Sequence, residues 1–318
     1  MVLSETKLLH NLRAISRYCM LFGILTALVF MPLGGIPLDW QIVLALVALA
    51  VGIPHGAVDH LITVPKSGWL KMAGFVAGYL AVVAVAIWAI LTANLLGFQA
   101  VVLMSAIHFG LGDAAFISEL DARQQNSKNF PRVSYVIASG FTPVLIPLVS
   151  EQSTQALAAV NSQLIDWAGG FAPALFALML FVSLGAITWM LLVRRAQEAI
   201  DLGLLLVLVL TAPPLVAFAF YFGFWHALRH TGRISLEYQK SQSKHQLGKS
   251  WQAFGQALWA GAPALAFVLL FTLILGFSRG FDLEQQLLWY LLVVIWALTA
   301  PHMALTLKLD VKALRAKA

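Results

Sequence analysis

"LGLLLVLVLTAPPLVAFAFYFGFWHALRH", residues 202–230, decides how the chain is threaded. The run is apolar almost throughout, yet it is long for one crossing of hydrocarbon about 30 Å thick, which takes about 20 helical residues. Pro213 and Pro214 interrupt it near the middle. Two adjacent prolines remove two backbone donors and disfavour continuous helix. The stretch is therefore either one irregular span or two short helices that enter and return around the prolines.

Composition sets the frame for that choice. Of 318 residues, 60% are hydrophobic and 11% charged, a balance that a water-soluble domain could not cover with polar surface. The expected fold is an all-α polytopic membrane bundle of about 8–10 transmembrane segments, forming a single transmembrane domain over residues 1–318. Other apolar stretches run over 18–33, 40–60, 70–96, 98–116, 133–149, 170–193, 254–277 and 287–307. Lys7, Arg13 and Arg17 precede the first one, and no small-x-small cleavage site follows it, so that span is expected to be retained.

Basic residues separate the two threadings. With a cytoplasmic N-terminus, the groups Lys66/Lys71, Arg123/Lys128/Arg132 and Arg194/Arg195 all fall on the inner side, as the positive-inside rule asks. The basic residues from Arg229 to Lys249 and those of the C-terminal tail join them only if segment 202–230 breaks and returns. Arg279 is then alone outside. We therefore expect a break near Pro213-Pro214 and a multi-pass protein of the cell's inner (plasma) membrane with both termini cytoplasmic. The net charge of +6 belongs mostly to these loops, so no nucleic-acid partner is expected.

The single cysteine, Cys19, excludes an intramolecular disulfide and any multi-cysteine metal site. Histidine and carboxylate remain. Six of the eight histidines lie in or at the ends of apolar segments: His55 and His60 in "GIPHGAVDH" (52–60), His108 in "SAIHFGLGD" (105–113), His226 and His230 in "FGFWHALRH" (222–230), and His302 in "TAPHM" (299–303). The threading above brings these segments to one depth near the inner leaflet. Ionisable groups at membrane depth are costly, so their convergence points to function. His10 and His245 sit in polar segments and read as ordinary polar residues.

His226 and His230, four apart, share a helix face with Cβ atoms about 5–6 Å apart. Two imidazoles so placed reach one ion at metal–nitrogen distances of about 2.0–2.1 Å. His55 and Asp59 have the same spacing, so Asp59 is either a ligand or an acceptor that orients an imidazole, and Asp113 is placed to do the same for the His108 segment. An imidazole shell suits zinc, copper, iron or nickel. Phe109, Tyr221, Phe224 and Trp225 are candidates for lining a substrate tunnel, against the plainer reading of packing or an interfacial belt. A site buried among spans, with no soluble domain to capture a polar substrate, favours a lipid-soluble one. Another histidine-rich membrane redox enzyme, or a transporter of metal or substrate built on a broken helix, stands as the alternative.

The four motifs, in this order and across nearly the whole chain, resemble the Brp/Blh family of membrane β-carotene 15,15′-dioxygenases. The resemblance implies oxidative cleavage of the central double bond of β-carotene with O2 to two all-trans-retinal molecules at a mononuclear non-haem Fe(2+). By motif, His55, His108, His226 and His230 match the family's iron ligands. Asp59 and Asp113 fall on acidic positions of the same motifs, in supporting roles, while His60 and His302 are further members of a possible supporting shell. The family also implies a functional link to a retinal-binding rhodopsin.

Overall fold

The computed structural model of the chain describes residues 2–58, 61–62, 68–280 and 283–315, and among them there are helices but no strand. From the N-terminus come α1 (Val2–Phe30), α2 (Leu38–Gly56), α3 (Trp69–Thr92), α4 (Asn94–Gln124) and α5 (Arg132–Val149). A short α6 (Ser153–Val160) precedes α7 (Ala172–Leu192). The interrupted segment follows as α8 (Ala196–Thr211), α9 (Pro214–Phe218), a π-helix (Ala219–Ala227) and α10 (Leu228–Glu237). Polar α11 (Gln239–Gln246) leads to α12 (Ser250–Gly261), α13 (Pro263–Ser278) and α14 (Leu283–Arg315). Among the described residues, eight helices are long and apolar enough to cross a membrane, α12 and α13 acting as one, and they overlap the eight uninterrupted apolar stretches of the sequence.

The chain breaks where the prolines stand. α8 closes with the Ala212 N–H on the Leu208 carbonyl, 2.8 Å, and Pro213 is extended at φ −57°, ψ 154°. Pro214 opens the next helix at its first position, where a missing N–H costs nothing. The two arms then lie side by side at their far ends, because Arg229 Nη2, beyond the π-helix, is 3.6 Å from Asp201 Oδ1 near the start of α8. The segment enters and returns. A nine-residue π-helix was not legible beforehand; such wide turns are rare and gather at functional sites.

Several arginines expected in solvated inner loops are instead interior. Arg13 donates to Asp201 Oδ2 (3.0 Å) and Glu198 Oε1 (2.9 Å), and the half-buried Arg17 joins it through Nε on Asp201 Oδ1 (2.6 Å). Arg233, from α10, bonds Asp310 of α14 (2.6 Å) and Glu119 of α4 (3.0 Å). Arg195 bonds Asp121. A guanidinium at this depth is tolerated only with a carboxylate beside it, and each of these has one. The buried pairs fasten α1, α4, α8, α10 and α14 at one end of the bundle.

α4 and α5 cross at glycine. A Cβ on Gly140 would lie 2.0 Å from the Ala106 carbonyl oxygen and 2.7 Å from the Gly110 nitrogen, whereas one on Gly78 meets nothing within 4 Å. Gly140→Ala is expected to destabilise the protein by about 1–3 kcal/mol or more through overpacking, read as a lower thermal midpoint in detergent. Gly78→Ala should stay within about 0.5 kcal/mol of wild type.

Candidate metal centre

Five elements deliver imidazoles to one place: α2 brings His55, α4 brings His108, the π-helix and α10 that continues it bring His226 and His230, and α14 brings His302. All five imidazoles are buried, none more than 6% exposed. His55 is 5.6, 5.3 and 5.2 Å, centroid to centroid, from His226, His230 and His302. His108 lies 5.0 Å from His226 and 4.9 Å from His302. The rings of His226 and His230 are nearly parallel, at 13°, the arrangement expected of residues on successive turns of one face. His55 meets both almost perpendicularly, at 82° and 81°.

Local chemistry orients the rings. The Nδ1–H of His55 donates to the carbonyl of Gly52, one turn back, which leaves Nε2 with a free lone pair. Neither ring nitrogen of buried His226 has a hydrogen-bond partner among the described residues. Asp113 stands behind His226 rather than behind His108, as the sequence suggested: its Oδ1 is 4.0 Å from His226 Nδ1, and its Oδ2 accepts from Trp225 Nε1 at 2.9 Å. Asp59 and His60 lie outside the described residues. His10 is exposed beside Gln124, and His245 is held by Ser235 Oγ (3.2 Å) and Ser250 Oγ (3.0 Å), with burial lowering its pKa.

A cavity of about 670 Å³ opens from the cluster, within the range of a small-molecule site. His55, His108 and His302 line it, and its wall follows α14 from Leu288 to Leu305 and reaches α6 at Leu157. Leu288 to His302 spans about 21 Å at 1.5 Å per residue. Apart from Ser105 and Thr299, the remaining wall is aliphatic and aromatic, with Phe98, Phe109, Tyr221 and Trp296 among it. The Tyr221 hydroxyl donates to the Ser139 carbonyl at 2.7 Å, so its polar end is satisfied within the protein. The other two tunnel candidates do not border this space: Trp225 lies under the Arg229 guanidinium, 3.4 Å from ring centroid to Cζ, and Phe224 packs on Phe220.

A buried cluster of imidazoles, with neither ring nitrogen of His226 satisfied among the described residues, has the chemistry of a transition-metal site. His302 was the residue least readable from sequence. Its signals there were a Pro-His pair late in an apolar run and a hydroxyl four residues on, at Thr306, whose Oγ1 reaches the His302 carbonyl (3.2 Å).

A family model described as beta-carotene 15,15′-dioxygenase matches residues 46–310. The beta-carotene 15,15′-dioxygenase of uncultured marine bacterium 66A03 is 29% identical over 282 residues, which cover 84% of this chain and 92% of that protein. No solved structure matches the chain at a significant level.

Purified protein is expected to carry about one equivalent of transition metal per chain, removable by chelator. His226→Ala and His230→Ala should each lose most of it. His10→Ala and His245→Ala should keep it, as measured by elemental analysis of monodisperse protein.

Proposed function

The chain belongs to the β-carotene 15,15′-dioxygenase family, and from that premise we propose that it cleaves the central 15,15′ double bond of β-carotene with O2 to two all-trans-retinal molecules. In this reading iron(II) is held by His55, His108, His226 and His230. One observation supports it most directly: a buried cluster of imidazoles lies against a large apolar cavity inside a membrane bundle, and three of them line it. Bound iron supplies the activation of dioxygen.

The protein's own part is binding, orientation and exclusion of water. A polyene has no polar group to grip, so its position is set by the shape of the cavity, through walls such as Phe109, Tyr221 and Trp296. His55 and His108 border that cavity while His226 and His230 lie behind them, so a hydrocarbon in the cavity passes one side of the imidazole cluster. The hydrogen bond from His55 to Gly52 keeps one imidazole in the tautomer that presents Nε2. Burial of the cluster keeps bulk water from the reacting carbons. The reading also places the protein in the inner membrane with cytoplasmic termini, drawing its substrate from the bilayer, and its product is the chromophore that a retinal-binding rhodopsin requires.

Expression in a β-carotene-accumulating bacterium tests the activity. Orange colour is expected to fade as retinal appears by chromatography, and the His226→Ala strain should stay orange. Unchanged carotene beside folded, iron-loaded wild-type protein would defeat the proposal.

Val102, buried on α4 and lining the cavity, provides a separate test of where the substrate lies. Val102→Trp is expected to lower kcat/KM for β-carotene by tenfold or more, at least about 1.4 kcal/mol, while metal content is unchanged. An unaltered kcat/KM would place the substrate elsewhere.

A further inference from the structure

We infer that His302 is itself a ligand of the metal, a fifth imidazole beside His55, His108, His226 and His230. The inference rests on the metal-site reading above and adds a residue that reading leaves outside the ligand set.

Distance is the first argument. One ligand atom each from His55, His108 and His302 can be chosen so that all lie within 4.8 Å of one another, the grouping that marks a possible metal site among the described residues. His302 Nε2 is 3.2 Å from His108 Nε2. Two nitrogens bound to one ion at about 2.0–2.1 Å, at angles between octahedral and tetrahedral, are about 2.9–3.4 Å apart. The observed separation falls inside that window.

Orientation is the second. The His302 ring stands at 83° to His55, 77° to His108 and 81° to His230. It is thus turned edge-on to three neighbours, as ligands grouped about a common centre are, and does not stack on any of them. Thr306 Oγ1, which bonds the His302 carbonyl, also lies 3.5 Å from His108 Nδ1, at the outer limit of a hydrogen bond. An Nδ1–H on His108 directed at that hydroxyl leaves its Nε2 lone pair facing His302. A cation between the two rings satisfies both.

The third argument is the space made for the ring. A Cβ on Gly56 would lie 3.1 Å from His302 Nδ1 and 3.3 Å from Cε1, so the end of α2 approaches this imidazole closely because residue 56 has no side chain. With His302 bound, the cavity side of the centre is made by three imidazoles, His55, His108 and His302, and the His226/His230 pair closes the back.

His302→Gln separates a ligand from a hydrogen-bonding neighbour. A glutamine amide still donates to or accepts from His108, but it does not replace imidazole as a nitrogen ligand. In detergent-purified protein loaded with cobalt(II) or iron(II), the variant is expected to lose apparent metal affinity by more than the roughly 10- to 100-fold that loss of an outer partner costs, measured by chelator competition. Its cobalt ligand-field bands should also shift. Gly56→Ala, which presses on the ring without removing it, should move the same bands by a smaller amount, and His245→Gln should leave them in place. For the wild type, X-ray absorption fine structure is expected to fit five imidazoles, a measurement that does not depend on any variant folding. Wild-type affinity and bands in His302→Gln, or a fit of four imidazoles in the wild type, would overturn the assignment of His302 alone; wild-type protein that binds no metal would overturn the metal centre as a whole.

Discussion

Asp201 is wholly buried and is reached by three guanidinium groups, those of Arg13, Arg17 and Arg229. A carboxylate at membrane depth exists only if its charge is met there, and this one meets cations from both arms of the structure that surround it. Arg13 and Arg17 come from α1. Arg229 comes from the returning arm of the broken segment, between His226 and His230. The ion cluster therefore does more than neutralise charge: it fixes the register in which the π-helix and α10 slide past α1 and α8, and so the height at which the histidine pair stands. Arg229 adds to this by lying over Trp225, whose indole N–H holds Asp113 behind His226. From Asp201 to the imidazoles the connection is continuous.

The same constraint explains which parts of the fold were legible in sequence. Segments that face lipid must be apolar for about 20 residues, and the eight such helices stand out by composition alone. The Pro213-Pro214 break was readable for an equally local reason, since proline chemistry does not depend on distant neighbours. Arg13, Arg229 and Arg233 were not readable as interior groups, because a basic residue at the edge of an apolar run looks the same whether it faces water or a carboxylate 185 positions away, as Arg13 does Glu198. Counting charges pointed to the break that the structure has, because a group in a buried ion layer and one in a solvated loop at the same end of the bundle count alike.

For the centre, the sequence gives residue types but not partners. His226 and His230 were paired by spacing within one helix, where geometry is local. His302 belongs to a helix that meets α4 only through tertiary packing, and no spacing links residues 108 and 302. Asp113 shows the same limit: five residues from His108 along α4, about one and a half turns, it faces His226 across the helix interface. The π-helix was hidden for another reason: it packs closely on α2, Gly223 on Ala48 and Phe222 on Gly52, and these tertiary contacts leave no local mark in the sequence.

The cavity and the ion layer divide the bundle between two kinds of chemistry. On one side of the imidazoles lies a space walled by Phe, Trp and aliphatic groups, which a hydrocarbon enters without desolvation cost because the bilayer it leaves is equally apolar. On the other side lie the paired arginines and carboxylates. A metal held between them, as proposed, would face the cavity through one surface and be held rigid through the other. Rigidity matters because a polyene has many nearly equivalent double bonds, and only fixed distances between the metal and the end of the cavity distinguish one from the next. Regiospecificity in such a site is a property of packing, and packing here is anchored to the buried charges.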